Sequence, residues 1–353
     1  MLADDMGALR SMNPPNPFVS KSSPVLTVLV AVWALAVTPP AGAQRGPAAL
    51  LDRVDAAPAA TRPRLFSDAE LRQEFAQPPS RFLAIDGVPI HVRDEGAGPP
   101  LLLINGRLGS LHMWDPWMPA LARRFRVIRM DYPPTGLSGF DPSGKTGSAR
   151  AVELVDKLAD ELGLEHFHIG GTSNGAVIAV SYAIEHPERI DRVVVSTLEG
   201  GRPPPRAVSS ELVAAMEEQK PLAPVQSRRF FAAVLHEILA NDAIIDDALI
   251  DRYWKLNNRE GAAAAAEAFT RAQYEFWDTL DVRSYYGRLR RPILLQWGAD
   301  AVILPPEVGE SVAAMFTGTS VRLVQYPGAG HMPMLEQPEA TVRDAIAFLE
   351  ARE

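Results

Sequence analysis

Ser173 lies in Gly171-Thr-Ser-Asn-Gly175, a G-x-S-x-G array of the kind that sets a nucleophile on a sharp turn. The preceding run His166–Gly170 predicts a short buried strand, and Asn174–His186 predicts a helix rich in Ala, Val and Ile, stopped by Pro187. A strand that turns at once into a helix forces the serine into a strained backbone, and the residues two positions away must lack bulk. The turn presents the hydroxyl beside the positive end of the helix. A serine hydroxyl is nearly inert near neutral pH and needs a base, for which the unperturbed pKa of histidine is suited. His331, in Gly328-Ala-Gly-His331, sits in a Gly-rich loop between a predicted strand, Val321–Tyr326, and a helix from about Pro338. Ser173 followed by His331, each on a loop after a strand, points to nucleophilic catalysis. The other histidines are read as structural or surface residues: His91 in a strand, His112 in a loop, His166 and His168 at the elbow strand, His186 at a helix end and His236 in a helix.

The elements around this pair alternate. Strands are predicted over Arg81–Ile85 and Ile90–Asp94, joined at Asp86-Gly87, a hairpin signal. Next come Leu101–Ile104 (strand), Trp117–Arg124 (helix), Arg126–Met130 (strand) and Ala149–Leu162 (helix), then the elbow and a sixth strand, Arg192–Ser196. Such alternation implies an α/β fold with a mostly parallel central sheet and helices on both faces. From Ser209 to about Tyr286 the periodicity is helical throughout, with helices expected over Ser210–Gln219, Ser227–Leu239, Ala248–Asn257 and Gly261–Leu280. A strand at Ile293–Trp297 resumes the sheet. Ligands of such sheets bind at the carboxyl ends of the strands. Ser173, Glu199, Asp300 and His331 all fall there.

These features resemble the α/β-hydrolase-fold serine hydrolases, in the branch that holds small esterases, epoxide hydrolases and cofactor-free haloperoxidases. The resemblance runs from about Arg81 to the C-terminus. It rests on Pro99-Pro-Leu-Leu-Leu-Ile-Asn-Gly106, Met130-Asp-Tyr-Pro-Pro-Thr-Gly-Leu-Ser138, the elbow, His186-Pro-Glu-Arg-Ile190, Trp297-Gly-Ala-Asp300 with Pro305-Pro306, and Gly328-Ala-Gly-His331, in the family's order. It implies that the helical insertion after the sixth strand is a cap over the site. The cap is expected over residues 201–286, the core over 81–200 and 287–353, and a linker with a short helix near Ser67–Phe75 over 44–80. It also implies an oxyanion hole from the backbone N–H groups of Arg107 and Asn174.

Three departures stand out. Asn105 occupies a position usually held by His, and Pro134-Thr135-Gly136 replaces a Gly-His-Gly turn. Counted forward from Gly298 or back from Pro305, the usual position of the catalytic acid holds Ala301. Glu199 and Asp300 are the carboxylates near enough in sequence to stand in; the third alternative is a Ser–His pair with no acid. The reaction this implies is hydrolysis of a carboxylic ester or similar acyl compound. Epoxide hydrolysis and dehalogenation use an Asp nucleophile in this family, so Ser173 argues against both. Cofactor-free C–C hydrolysis or perhydrolysis, and a non-catalytic ligand-binding protein on the same scaffold, stay open.

Composition sets the remaining bounds. A chain of 353 residues, 47% hydrophobic, can bury one large core plus an appended module. The net charge of −8 carries no basic cluster, which argues against nucleic acid as partner. The absence of cysteine excludes thiol catalysis and disulfides. No metal-ligand spacing or phosphate-binding loop appears, so no cofactor is expected. Arg10 and Lys21 precede the apolar run Val25–Val37, and Ala41-Gly-Ala43 forms a small-x-small cleavage site before Gln44. Residues 1–43 are therefore expected to be a signal peptide, with export to the periplasm or beyond. Membrane association is expected only if that segment stays uncleaved.

Overall fold

Aliphatic and β-branched runs spaced by helical segments build one eight-stranded sheet. The computed structural model describes residues 63–203 and 206–351, so the expected signal segment lies outside the described residues. The strands are β1 (Arg81–Ile85), β2 (Val88–Glu95), β3 (Pro100–Ile104), β4 (Arg126–Met130), β5 (Phe167–Thr172), β6 (Ile190–Ser196), β7 (Ile293–Gly298) and β8 (Val321–Tyr326). Their spatial order is β1-β2-β4-β3-β5-β6-β7-β8. β2 runs antiparallel to both β1 and β4, and every other neighbouring pair is parallel. Asp86 and Gly87, with φ of 51° and 80°, close the β1–β2 hairpin in the left-handed region, the backbone that a two-residue turn matched to strand twist requires.

The central strands are buried from end to end, as β5 and β7 show, because helices cover the sheet on both faces. The helices are α1 (Asp68–Phe75), α2 (Met118–Leu121), α3 (Ser148–Glu161), α4 (Asn174–Glu185), α5 (Ser210–Gln219), α6 (Arg228–Ile238), α7 (Asp247–Asn257), α8 (Ala262–Asp278), α9 (Val282–Tyr286), α10 (Pro306–Ala313), α11 (Pro333–Glu336) and α12 (Pro338–Leu349). Among the described residues, those between β6 and β7 form helices and loops only. Ser209, Ser227, Asp246 and Asp281 each cap one of these helices through the side chain. None of the described helices is long and apolar enough to cross a membrane.

Two stretches differ from the sequence expectation. The helix expected over Trp117–Arg124 is a 3-10 turn, Leu111–Trp117, running into the four-residue α2. Pro116 lies within that turn and Pro119 just after it, and missing N–H groups weaken a continuous α-helix. The short helix expected near Ser67–Phe75 is present as α1 (Asp68–Phe75), but the segment that carries it, expected as a linker, packs against the fold. Phe66 sits edge-on to Trp254 at 5.1 Å and its N–H donates to Asn258 O, while Leu71 is fully buried. A capping box between Ser67 and Glu70 starts α1 there.

Candidate active site

β5 delivers Thr172 to the end of the sheet, and the chain reverses into α4 at Ser173, whose φ is 52° and ψ −123°. For a residue with a Cβ this is a strained backbone, held only where the surroundings over-determine it. Both glycines of the array are sterically required. A Cβ on Gly171 would lie 2.3 Å from Gly175 O, and one on Gly175 would lie 2.3 Å from Asn105 O. The Ser173 N–H is tied to Ser196 O (3.1 Å), which fixes the elbow to the end of β6.

Ser173, Asn174, Arg107, Glu199 and His331 line one cavity. Its remaining wall is largely apolar, with Leu108 and Met332 from the core and Val234, Ile238, Tyr253 and Tyr274 from the inserted helices. The insertion therefore roofs the nucleophile. Asn174 opens α4, so its N–H is one of the donors without an intrahelical acceptor. Its side-chain Oδ1 accepts from Arg107 Nε at 2.8 Å, and its buried Nδ2 has no hydrogen-bond partner. Arg107 also donates from Nη1 to Thr270 Oγ1 at 3.1 Å, so this side chain joins the elbow to the roof.

The Asn105 and Thr135 departures prove to be one feature. Asn105 Nδ2 donates to Thr135 Oγ1 (2.9 Å), and Asn105 Oδ1 accepts from Tyr132 N (3.3 Å). The pair fastens the loop carrying Gly106 and Arg107 to the turn after β4. That loop's backbone carries the Arg107 N–H from which the family resemblance expects an oxyanion donor.

His331 is held by its backbone more than by its ring. Its N–H donates to Ile238 O (2.8 Å), and its carbonyl accepts from Thr197 Oγ1 (2.8 Å). Glu336, five residues on, clamps both sides of it. One carboxylate oxygen accepts from Gly330 N (2.8 Å) and Met332 N (3.4 Å), the other from Ala240 N (2.7 Å) and Asn241 N (3.0 Å). The histidine loop and the 238–241 segment of the roof thus form one hydrogen-bonded unit. Among the described residues, the ring Nδ1 is buried without a hydrogen-bond partner, and no hydrogen bond joins the ring to Ser173. Burial, with a smaller contribution from Arg206, holds the His331 pKa down at about 4.

The two carboxylates expected as substitutes part company. Glu199 lines the cavity, and because it opens onto that enclosed space and not onto bulk water, burial raises its pKa; Arg107 and Trp277 pull the other way. The Trp277 indole N–H faces it without reaching hydrogen-bonding geometry, since Trp277 Nε1 has no partner. Asp300 is solvent-exposed and absent from the cavity wall, although its N–H ties its loop to Ala329 O at 2.9 Å. Ala301, beside it, is buried. Sequence reasoning did not find Glu336 or Thr197. Glu336 left one faint signal, an acidic residue between prolines in an otherwise apolar stretch. Among the described residues, no group of three or more His, Cys, Asp or Glu is arranged to hold a metal.

Comparison with known proteins agrees with this fold. Residues 99–338 match the model of the alpha/beta hydrolase fold family. RutD of a Caulobacter species, which carries a provisional carbamate hydrolase name, is 28% identical over 255 residues, covering 70% of this chain and 90% of that protein. The 2-hydroxy-6-oxo-2,4-heptadienoate hydrolase of Pseudomonas putida is 24% identical, covering 77% and 97%. A solved structure of a hydrolase from Pseudomonas aeruginosa superposes with a TM-score of 0.62 at 29% identity, covering 78% of this chain and 99% of that one.

Proposed function

Because the chain belongs to the alpha/beta hydrolase fold family, we propose that it is a serine hydrolase cleaving a carboxylic ester or related acyl substrate through Ser173 and His331. The observation that carries this reading is the left-handed backbone of Ser173, which turns its hydroxyl into a cavity shared with His331. With its pKa near 4, His331 is a neutral imidazole above about pH 5 and accepts the serine proton as the oxygen attacks the carbonyl carbon. The negative charge that forms on the carbonyl oxygen faces the backbone N–H groups of Arg107 and Asn174. Collapse of the adduct expels the alcohol, protonated by His331, and leaves an acyl-enzyme. Water, activated by the same imidazole, then releases the acid. The apolar wall favours a substrate with an alkyl or aryl portion. The orphan Asn174 Nδ2 supports a substrate with an acceptor oxygen beside the scissile carbonyl.

The likeness to the heptadienoate hydrolase favours a second reading, in which the bond broken lies between two carbons of a dienoate ketone. A panel of chromogenic esters and one such dienoate separates the two. The serine reading expects turnover of the preferred substrate to fall at least ~10³-fold in Ser173→Ala, with a fluorophosphonate adduct mapped to Ser173 in the wild type. Undiminished turnover in Ser173→Ala would refute it.

A further inference from the structure

Away from the elbow, the fold assembles a complete hydrogen-bonded serine–histidine–aspartate array. Register explains how. Phe82 pairs with His91 across the β1–β2 hairpin, placing Ser80, at the entry to β1, beside the His91 ring. Val92 pairs with Met130 across β2–β4, so Asp131 follows directly opposite His91, and its N–H donates to His91 O at 3.0 Å. Ser80 Oγ lies 3.0 Å from His91 Nε2, and His91 Nδ1 lies 2.7 Å from Asp131 Oδ2. His91 and Asp131 are fully buried, and Ser80 at the outer end is half-buried.

Each member is fixed. Asp131 also accepts from Leu111 N (2.6 Å) and Leu137 N (2.8 Å). The His91 ring stacks on Phe82, with centroids 5.0 Å apart and planes at 21°. A carboxylate that accepts a hydrogen bond from Nδ1–H leaves Nε2 with its lone pair toward the serine hydroxyl. This is the orientation that His331 lacks.

We infer that Ser80, His91 and Asp131 form a second nucleophilic site, at which Ser80 takes an acyl or phosphonyl group from an activated aryl ester or a fluorophosphonate. In the acyl case the Ser80 oxygen bonds to the carbonyl carbon and its proton passes to His91 Nε2. The aryl oxide then leaves and takes that proton, so serine and ester become acyl-serine and phenol; with a fluorophosphonate the Ser80 oxygen bonds to phosphorus, and fluoride leaves and takes the proton as hydrogen fluoride. The Ser80 N–H is already committed to Gln77 O (3.0 Å), so the nucleophile's own amide is not free to hold an oxyanion and speed release. The product is therefore a persistent adduct formed once per molecule.

The test uses the full chain carrying Ser173→Ala, treated with p-nitrophenyl acetate and separately with a fluorophosphonate, and read by peptide mass mapping. General-base assistance predicts that Ser80 is modified on the order of 10²-fold faster than the exposed Ser320 of the same digest. It also predicts at most one equivalent of nitrophenol per chain, lost in Ser80→Ala with Ser173→Ala. A Ser80 rate no higher than that of Ser320 would assign the array to the fold alone and overturn the inference. Modification of Ser173 is read separately in the wild-type digest, so failure here leaves the elbow reading intact and the reverse also holds.

Discussion

Placing a carboxylate at residue 301 isolates what the missing acid costs. The His331 pKa falls from 6.5 to about 4 on burial, and at ~1.36 kcal/mol per pH unit that fall disfavours the imidazolium by roughly 3 kcal/mol. In the proposed mechanism the serine proton is carried by this imidazolium, so the same energy would appear in the barrier, a factor of about 10²–10³. Ala301 is buried, and the loop that carries it is bonded through Asp300 N to Ala329 O, two residues from His331. Ala301→Asp should therefore pair with Nδ1 and raise kcat of the preferred ester by about 10²-fold. It should also move the acidic limb of kcat/KM upward, from near pH 4 toward or beyond 6.5, because a neighbouring carboxylate favours the charged ring. The assay is a pH–rate profile of the wild type, Ala301→Asp and Glu199→Gln under the same conditions. If Glu199→Gln alone abolishes turnover while Ala301→Asp changes neither rate nor limb, Glu199 already serves His331 and the reasoning is refuted.

Two further outcomes follow from the same structure. Glu336→Gln replaces two acceptor oxygens by one and turns an amide against the remaining backbone donors. It should lower stability by about 2–5 kcal/mol in denaturant titration and kcat more than KM, while a stable variant with unchanged kcat would show that the clamp does not position His331. His331 and His112 are both buried, and burial holds each pKa at about 4. Their contribution is thus full above the unfolded value near 6.5 and lost as pH falls through 4, since the unfolded chain binds the extra protons. Thermal denaturation should show stability dropping by up to ~3 kcal/mol per histidine across that window, with a smaller drop in His112→Gln; equal slopes in both proteins would contradict the assignment for His112.

The sequence alone determined what depends on neighbours along the chain. Gly171 and Ser173 make the elbow largely a local event, because the strain and the clash that excludes a side chain at 171 arise within five residues, whereas Gly175 is required by the backbone of Ile104 and Asn105. Alternating runs specified the sheet, and the two spacings that met at Ala301 located the vacant acid position without any structure. Spacing could not say whether Glu199, Asp300 or neither serves His331. Glu199 and Asp300 both follow sheet strands, but one faces an enclosed cavity and the other water, a difference set by side-chain direction within irregular loops. Asn105 and Thr135 looked like independent departures until the turn after β4 came to rest on the loop after β3, where they bond each other. The Glu336 clamp and the Ser80–His91–Asp131 array were equally hidden. Their members come together only because β2 lies between β1 and β4 and because the roof folds down onto the histidine loop. Hydrogen bonds of that kind join residues tens to hundreds of positions apart, and only the packed chain brings them within reach.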